Sequence, residues 1–329
     1  MTNQPATPSG RSTARAEFEI AFDRPLDFPA SLELFRRSGD DLLDRWDGEW
    51  LTRTVRVDGN NVAYTCRPSG NLETPKVVVT VEDATHAPAI RRAIIESIVC
   101  LTPAFSELCR ADPVIGWLAE RHRGFRPLLH PELMLALVRC ISAQQVNLRW
   151  AAIVRRRLAE GYGCRHEVGG QLVYSLDPER LARCTIAEIR ALQFTTGKAE
   201  YVINAARALA EGRLDLAQLR VLTDDDVIAR VTTLRGLGLW TAEWVLARTL
   251  GRPRVSAGDL GVRKAVGKAY YRGRMPTADE VRQATSHWGA ATAFAQELLL
   301  HAQHLKTLDT LPATIAAGAA DPRPGRIIG

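Results

Sequence analysis

Apolar and polar residues along this chain change period once. Residues 18–22 alternate as a half-buried strand would, and so do 51–57 and 62–66 on either side of Asp58-Gly59-Asn60-Asn61, a turn sequence that predicts a hairpin. Residues 77–81 predict a further strand. Between these runs, 32–43 carry helical apolar spacing, and 88–101 predict a helix with Pro88 in its first turn. Past Asp112-Pro113 the strands are expected to stop. Helical patterns then cover 131–142, 144–158, 198–210, 239–250, 260–271, 277–288 and 291–305. Further helix starts are marked by Asp177-Pro178, by the capping box Thr185…Glu188 and by Thr223. The glycine-rich run 161–170 reads as a loop. The predicted fold class is α+β: a small antiparallel-sheet domain over 16–112, followed by an all-helical domain over 113–310. The polar run 1–15 reads as a disordered arm and the Ala/Gly/Pro-rich run 311–329 as a loose tail.

One stretch, residues 234–262, departs from plain helix-and-loop patterning. It holds a short glycine hairpin, Gly236-Leu237-Gly238, directly before a helix start at Leu239-Trp240-Thr241. Trp240 and Trp244 stand at i, i+4, on one helix face. The helix is followed by a loop broken by Gly251, Pro253 and Gly258 that ends on Asp259, ahead of another helix. Two readings fit the hairpin. It is a tight turn between packed helices, or a cluster of outward N–H groups that, with the helix dipole behind it, holds a phosphate. Asp259 likewise serves as the N-cap that the next helix needs, a role compatible with chemistry. The pair Gln144-Gln145 sits at a break between two helices. It caps that break, or it enters the minor groove of a duplex and plugs the gap left by a displaced base.

Composition narrows the setting. Of 329 residues 46% are hydrophobic and 24% charged, which is ordinary for a globular protein. No apolar run approaches the roughly 18 residues of a membrane span, and the polar start lacks a signal-peptide core, so cytoplasmic residence and no membrane partner are expected. A monomer is expected as well. Cysteines at 66, 100, 109, 140, 164 and 184 are scattered, without the pairing of a disulfide framework or the clustering of a zinc or iron–sulfur site. No metal and no required cofactor are expected. The net charge of +6 suits a polyanion, and arginine supplies 38 of the 43 basic residues. That favours bidentate phosphate contacts, although a bias toward arginine codons explains it equally well.

With these motifs in hand, the chain resembles the DNA-3-methyladenine glycosylase II branch of the helix-hairpin-helix/Gly-Pro-Asp superfamily of DNA glycosylases. The specific part is LxGhGxxTA over 234–242 with the loop ending on Asp259. Ile141-Ser142-Ala143-Gln144-Gln145-Val146, Phe194-Thr195-Thr196-Gly197-Lys198-Ala199 and Gly212-Arg213-Leu214-Asp215-Leu216 are similar to further segments of that branch, so the likeness spans roughly 17–305. It implies a monofunctional glycosylase that flips alkylated purines out of double-stranded DNA and hydrolyses the N-glycosidic bond, starting base excision repair. Asp259 takes the catalytic position, and Trp240 and Trp244 wall the base pocket. Gly236, Leu237, Gly238, Thr241, Gln144 and Gln145 meet the DNA, and a monovalent cation sits at the hairpin carbonyls. In relatives that also cut the strand, a lysine occupies the place of Trp240. Here no lysine occurs from 199 to 263, so lyase activity is not expected. Two departures stand out. The loop reads Ser256-Ala257-Gly258-Asp259 without the family's proline, and 298–301 offer no aromatic to complete the pocket. Two competing readings keep the fold: a glycosylase for another damaged or mispaired base, and a non-catalytic DNA-binding protein.

Overall fold

The computed structural model describes residues 14–315, so most of the expected arm and tail lies outside the described residues. The period-2 segments form β1 (Ala16–Ala21), β3 (Leu51–Val57), β4 (Asn60–Pro68) and β5 (Lys76–Val81), and a short β2 (Arg45–Trp46) is added. They build one antiparallel sheet in the order β1-β5-β4-β3-β2. The β3–β4 register is set by Asp58 (φ 48°) and Gly59 (φ 82°), a two-residue turn whose twist matches its strands. One face of the sheet, with Ile20, Tyr64, Val77 and Val79, packs against Ile90 and Ile94 of α2 (Ala87–Ser97).

The expected helix over 32–43 is a correction. Only α1 (Phe28–Leu32) and one 3-10 turn (Glu33–Phe35) form. After Gly39 (φ 105°), the Asp40 and Asp41 carboxylates accept the backbone N–H groups of Leu42 (2.9 Å) and Leu43 (3.2 Å). These side-chain turns compete successfully with a helix. Leu42 and Leu43 are freed to plug the core of the helical region.

A second correction concerns 161–170 and the absence of strands beyond 113. Residues β6 (Cys164–Val168) and β7 (Gln171–Ser175) form a hairpin around Gly169-Gly170, both at positive φ. It lies against the main sheet, with Gly169 N donating to Glu82 Oε1 (2.8 Å) and Tyr174 N to the Leu42 carbonyl (2.8 Å). The second region is therefore mostly helical rather than all-helical.

Its helices are α3 (Pro103–Ala111), α4 (Pro113–Arg121), α5 (Leu133–Ala143), α6 (Leu148–Tyr162), α7 (Pro178–Ala182), α8 (Ile186–Ala191), α9 (Thr196–Ala210), α10 (Leu216–Val221), α11 (Asp224–Thr232), α12 (Leu239–Arg248), α13 (Leu260–Tyr270), α14 (Ala278–Thr285) and α15 (Thr292–His304). None is long and apolar enough to cross a membrane. They divide between two cores. One gathers side chains of α5, α6, α9, α11 and α12. The other gathers α3 and α4 with the later α13, α14 and α15, so the chain leaves this lobe and returns to it. Asp112 fastens the return. Its Oδ1 caps α4 at Val114 N and Ile115 N, while Oδ2 accepts from Tyr270 Oη (2.7 Å) and His287 Nε2 (2.8 Å). The α12–α13 connection, ending on Asp259, crosses from the first lobe to the second.

A buried charge cluster joins the sheet domain to α5 and α6. Arg53 Nε donates to Asp44 Oδ1 at 2.7 Å. The Arg139 guanidinium spans Asp41 Oδ2 (3.0 Å) and Asp44 Oδ2 (3.1 Å), and Arg155 Nε meets Asp41 Oδ2 at 2.7 Å. Burial alone would push the Asp44 carboxyl up, but Arg53, His130 and Arg139 hold it well below the usual carboxylate range.

Candidate active site

The hairpin between α11 and α12 closes with Leu237 N donating to the Leu234 carbonyl (3.0 Å). Gly236 has φ 88°, and a Cβ there would stand 2.3 Å from the Tyr201 ring, so backbone conformation and contact both require glycine. Gly238 is different. A Cβ at that position would meet nothing within 4 Å; what glycine contributes is an uncovered N-cap to α12, with no side chain over the helix start. The opening N–H groups of α12 lack intrahelical partners and carry the positive end of the helix dipole, which makes this end an anion seat. Leu237 (3% exposed) and Thr241 (1%) are buried. Of these two expected DNA contacts, Thr241 can contribute its backbone N–H in the first turn of α12, whereas the Leu237 N–H is already bonded to the Leu234 carbonyl.

Asp259 reaches the start of α12 across the loop. Its Oδ2 accepts the Trp240 indole N–H at 3.0 Å, and Oδ1 accepts Val262 N at 3.0 Å as the cap of α13. The carboxylate is thus held by one bond from each lobe, and the capping and chemical readings coexist in one geometry. The loop is braced from α15: Gln296 Oε1 accepts Ser256 N (2.7 Å), and the Ser256 carbonyl accepts Asp259 N (2.9 Å). Gly261 keeps space beside the carboxylate, since a Cβ there would lie 3.0 Å from Asp259 Oδ1 and 3.3 Å from Leu300 Cδ2.

The two tryptophans separate. Trp240 is half-buried and engaged with Asp259. Trp244 is 6% exposed, stacks on His130 (centroids 5.2 Å apart, 30° between planes) and lies under the Arg248 guanidinium at 5.4 Å. It packs behind Trp240. Arg248 extends the same helical stripe by one more turn and pairs with Glu297 of α15 at 2.8 Å. The i, i+8 spacing from Trp240 was available to sequence reasoning, but its partner 49 residues on was not. The two glutamines also separate. Gln144 Nε2 donates to the Gly236 carbonyl at 2.8 Å, whereas Gln145 is exposed with φ 55°.

Burial lowers two histidines behind the site, His130 to about 4 and His301, with His122 beside it, to about 3. Both are neutral in the fold, so each contributes stability that is complete above the ordinary histidine pKa of about 6.5 and is lost as pH falls toward those values. The urea midpoint is expected to fall steadily below about pH 6.5. A profile flat from pH 7 to 4.5 would contradict this.

Among the described residues no group of three or more His, Cys, Asp or Glu could hold a metal, and the six cysteines are free thiols. A monovalent cation at the hairpin would share Leu234 and Gly236 oxygens already bonded to Leu237 N and Gln144 Nε2. Each of these carbonyl oxygens keeps a second lone pair after accepting one hydrogen bond.

Comparison with known proteins places this geometry. The family model described as the HhH-GPD superfamily base excision DNA repair protein matches residues 138–290. A DNA-3-methyladenine glycosylase of Bacillus subtilis is 32% identical over 197 residues, 59% of this chain and 65% of that protein, so just under two thirds of the relative is spanned. The 3-methyladenine DNA glycosylase of Archaeoglobus fulgidus superposes with a TM-score of 0.77 at 22% identity, over 90% of this chain and all of that one. The Schizosaccharomyces pombe 3-methyladenine DNA glycosylase, solved with abasic DNA, matches with a TM-score of 0.53 at 22% identity, over 61% of this chain and 97% of that one. The matched region runs from within α5 through the hairpin and Asp259 to just before α15, and over these residues the chain is similar to the HhH-GPD superfamily.

Proposed function

We propose that this protein is a monofunctional DNA glycosylase that releases alkylated purines from duplex DNA and so opens base excision repair. The observation that carries this reading is the Asp259 carboxylate, fixed by the Trp240 indole and the α13 N-terminus beside the phosphate-binding hairpin. The hairpin and α12 N-terminus hold the DNA backbone, and the target nucleotide turns out of the stack toward Asp259. Breaking the glycosidic bond builds positive charge on the sugar, which a fixed carboxylate stabilises while water attacks. A purine alkylated at N3 or N7 is cationic and leaves readily, so no strong general acid is needed. The Trp240 face adds roughly 0.5–2 kcal/mol of cation–π attraction for such a base. The B. subtilis relative supports this substrate class, and the S. pombe neighbour supports DNA as the partner.

Trp240 occupies the position that a Schiff-base lysine holds in strand-cutting relatives. Incubation with methylated DNA, followed by chromatography of the released bases, tests the reading. Free 3-methyladenine or 7-methylguanine is expected, and salt-sensitive binding without release would leave only a DNA-binding module. The same reaction quenched with borohydride is expected to yield no covalent protein–DNA adduct. An adduct formed at the rate of base release would overturn the monofunctional assignment.

A further inference from the structure

We propose that Gln144 is a positioning residue that sets the distance between the phosphate-binding hairpin and the exposed Gln145, so that a held backbone phosphate places Gln145 at the vacated base position. This rests on the glycosylase reading above.

The four residues Gln144–Asn147 link α5 to α6. Their upstream end is held from two sides: Lys198 Nζ donates to the Ser142 carbonyl (2.9 Å), and Arg155 Nη1 to Ser142 Oγ (3.0 Å). The downstream end is fixed by Asn147 Oδ1, which caps α6 at Trp150 N (2.8 Å). Between these anchors Gln145 adopts a left-handed backbone that non-glycine residues rarely hold without support from their surroundings. The adjacent residue is tied down as well. Gln144 reaches 92 positions along the sequence to the Gly236 carbonyl (2.8 Å), the apex of the hairpin.

That apex is itself immobilised. Gly236 lies flat against Tyr201, and Tyr201 stands one turn from Lys198 on α9. The first two turns of α9 therefore brace both the linker and the hairpin, and the Gln144–Gly236 bond closes the frame between them. A phosphate held at the α12 N-terminus is then a fixed distance from Gln145. Small misplacements between such groups are costly in rate.

Gln144→Met keeps side-chain length and removes the donor. Single-turnover release of 7-methylguanine is measured with the lesion opposite cytosine and with it opposite an abasic gap, where it is unpaired and costs less to turn out. A loss of about 10-fold or more is expected on the paired lesion, shrinking to under about 2-fold on the unpaired one, with an unchanged thermal midpoint. In a Gln145→Ala background the same change should add less than about 2-fold, because both residues act through one element. Equal losses on both duplexes, additive losses in the double variant, or no loss from Gln145→Ala would each overturn the proposal. Base release by the wild-type protein on either duplex tests the glycosylase reading separately.

Discussion

Asp259→Asn is expected to lower base release from methylated DNA by about 10²–10³-fold while leaving affinity for undamaged duplex within a factor of a few. The substitution removes the negative charge and little else in volume. Asp259 has two oxygens in use, one accepting from the Trp240 indole and one from Val262 N. An asparagine amide has only one acceptor oxygen, so one of those N–H donors would face an NH₂ group. That conflict costs roughly 1–3 kcal/mol in stability, and the melting temperature must be followed beside the rate. The prediction separates the two because a destabilised but folded protein still binds DNA. Retention of more than a few per cent of the wild-type rate would rule out electrostatic support from Asp259 as the main source of catalysis.

The second large effect is on folding. Asp44→Ala is expected to cost about 3–5 kcal/mol, read as a lower urea midpoint at pH 7. Arg53 and Asp44 are each 2% exposed, and Arg139 and His130 also face this carboxylate. Deleting it leaves the Arg53 guanidinium buried beside a second arginine without its counter-charge. The damage should reach function as well. Through Arg139 and Arg155 this cluster ties the sheet domain to Ser142, directly before the Gln144-Gln145 linker. A loss under about 1 kcal/mol would mean that water reaches Arg53 in solution. The pair is not an argument for net stability over an apolar substitute, since desolvating four or five charges offsets much of their attraction.

Sequence reasoning and structure agree where the determinant is local. The β3–β4 hairpin follows from alternation around an Asp-Gly turn, and the cap of α13 from a single aspartate before an apolar-periodic run. The capping box at Thr185–Glu188 is formed. The misreadings came where a local signal was outweighed. Residues 32–43 had helical spacing, but Gly39 and the two aspartates offered the backbone better partners. Glycine content alone makes 161–170 read as loop, but Gly169-Gly170 flanked by alternating residues is itself a hairpin signal.

The candidate site divides the same way. The sequence by itself determined that a glycine hairpin precedes a tryptophan-bearing helix, that an aspartate ends the following loop, and that no lysine occurs from 199 to 263. These depend on residue type and short spacing. Only the tertiary structure decided that Trp240 bonds Asp259 across 19 positions, that Trp244 is packed away, and that Gln144 holds the hairpin 92 positions off while Gln145 faces outward. Helical periodicity orients a side chain on its own helix but says nothing about which distant element will cover it. That choice is made when the three cores pack, and with it the separation of two tryptophans and of two glutamines that look alike in the sequence.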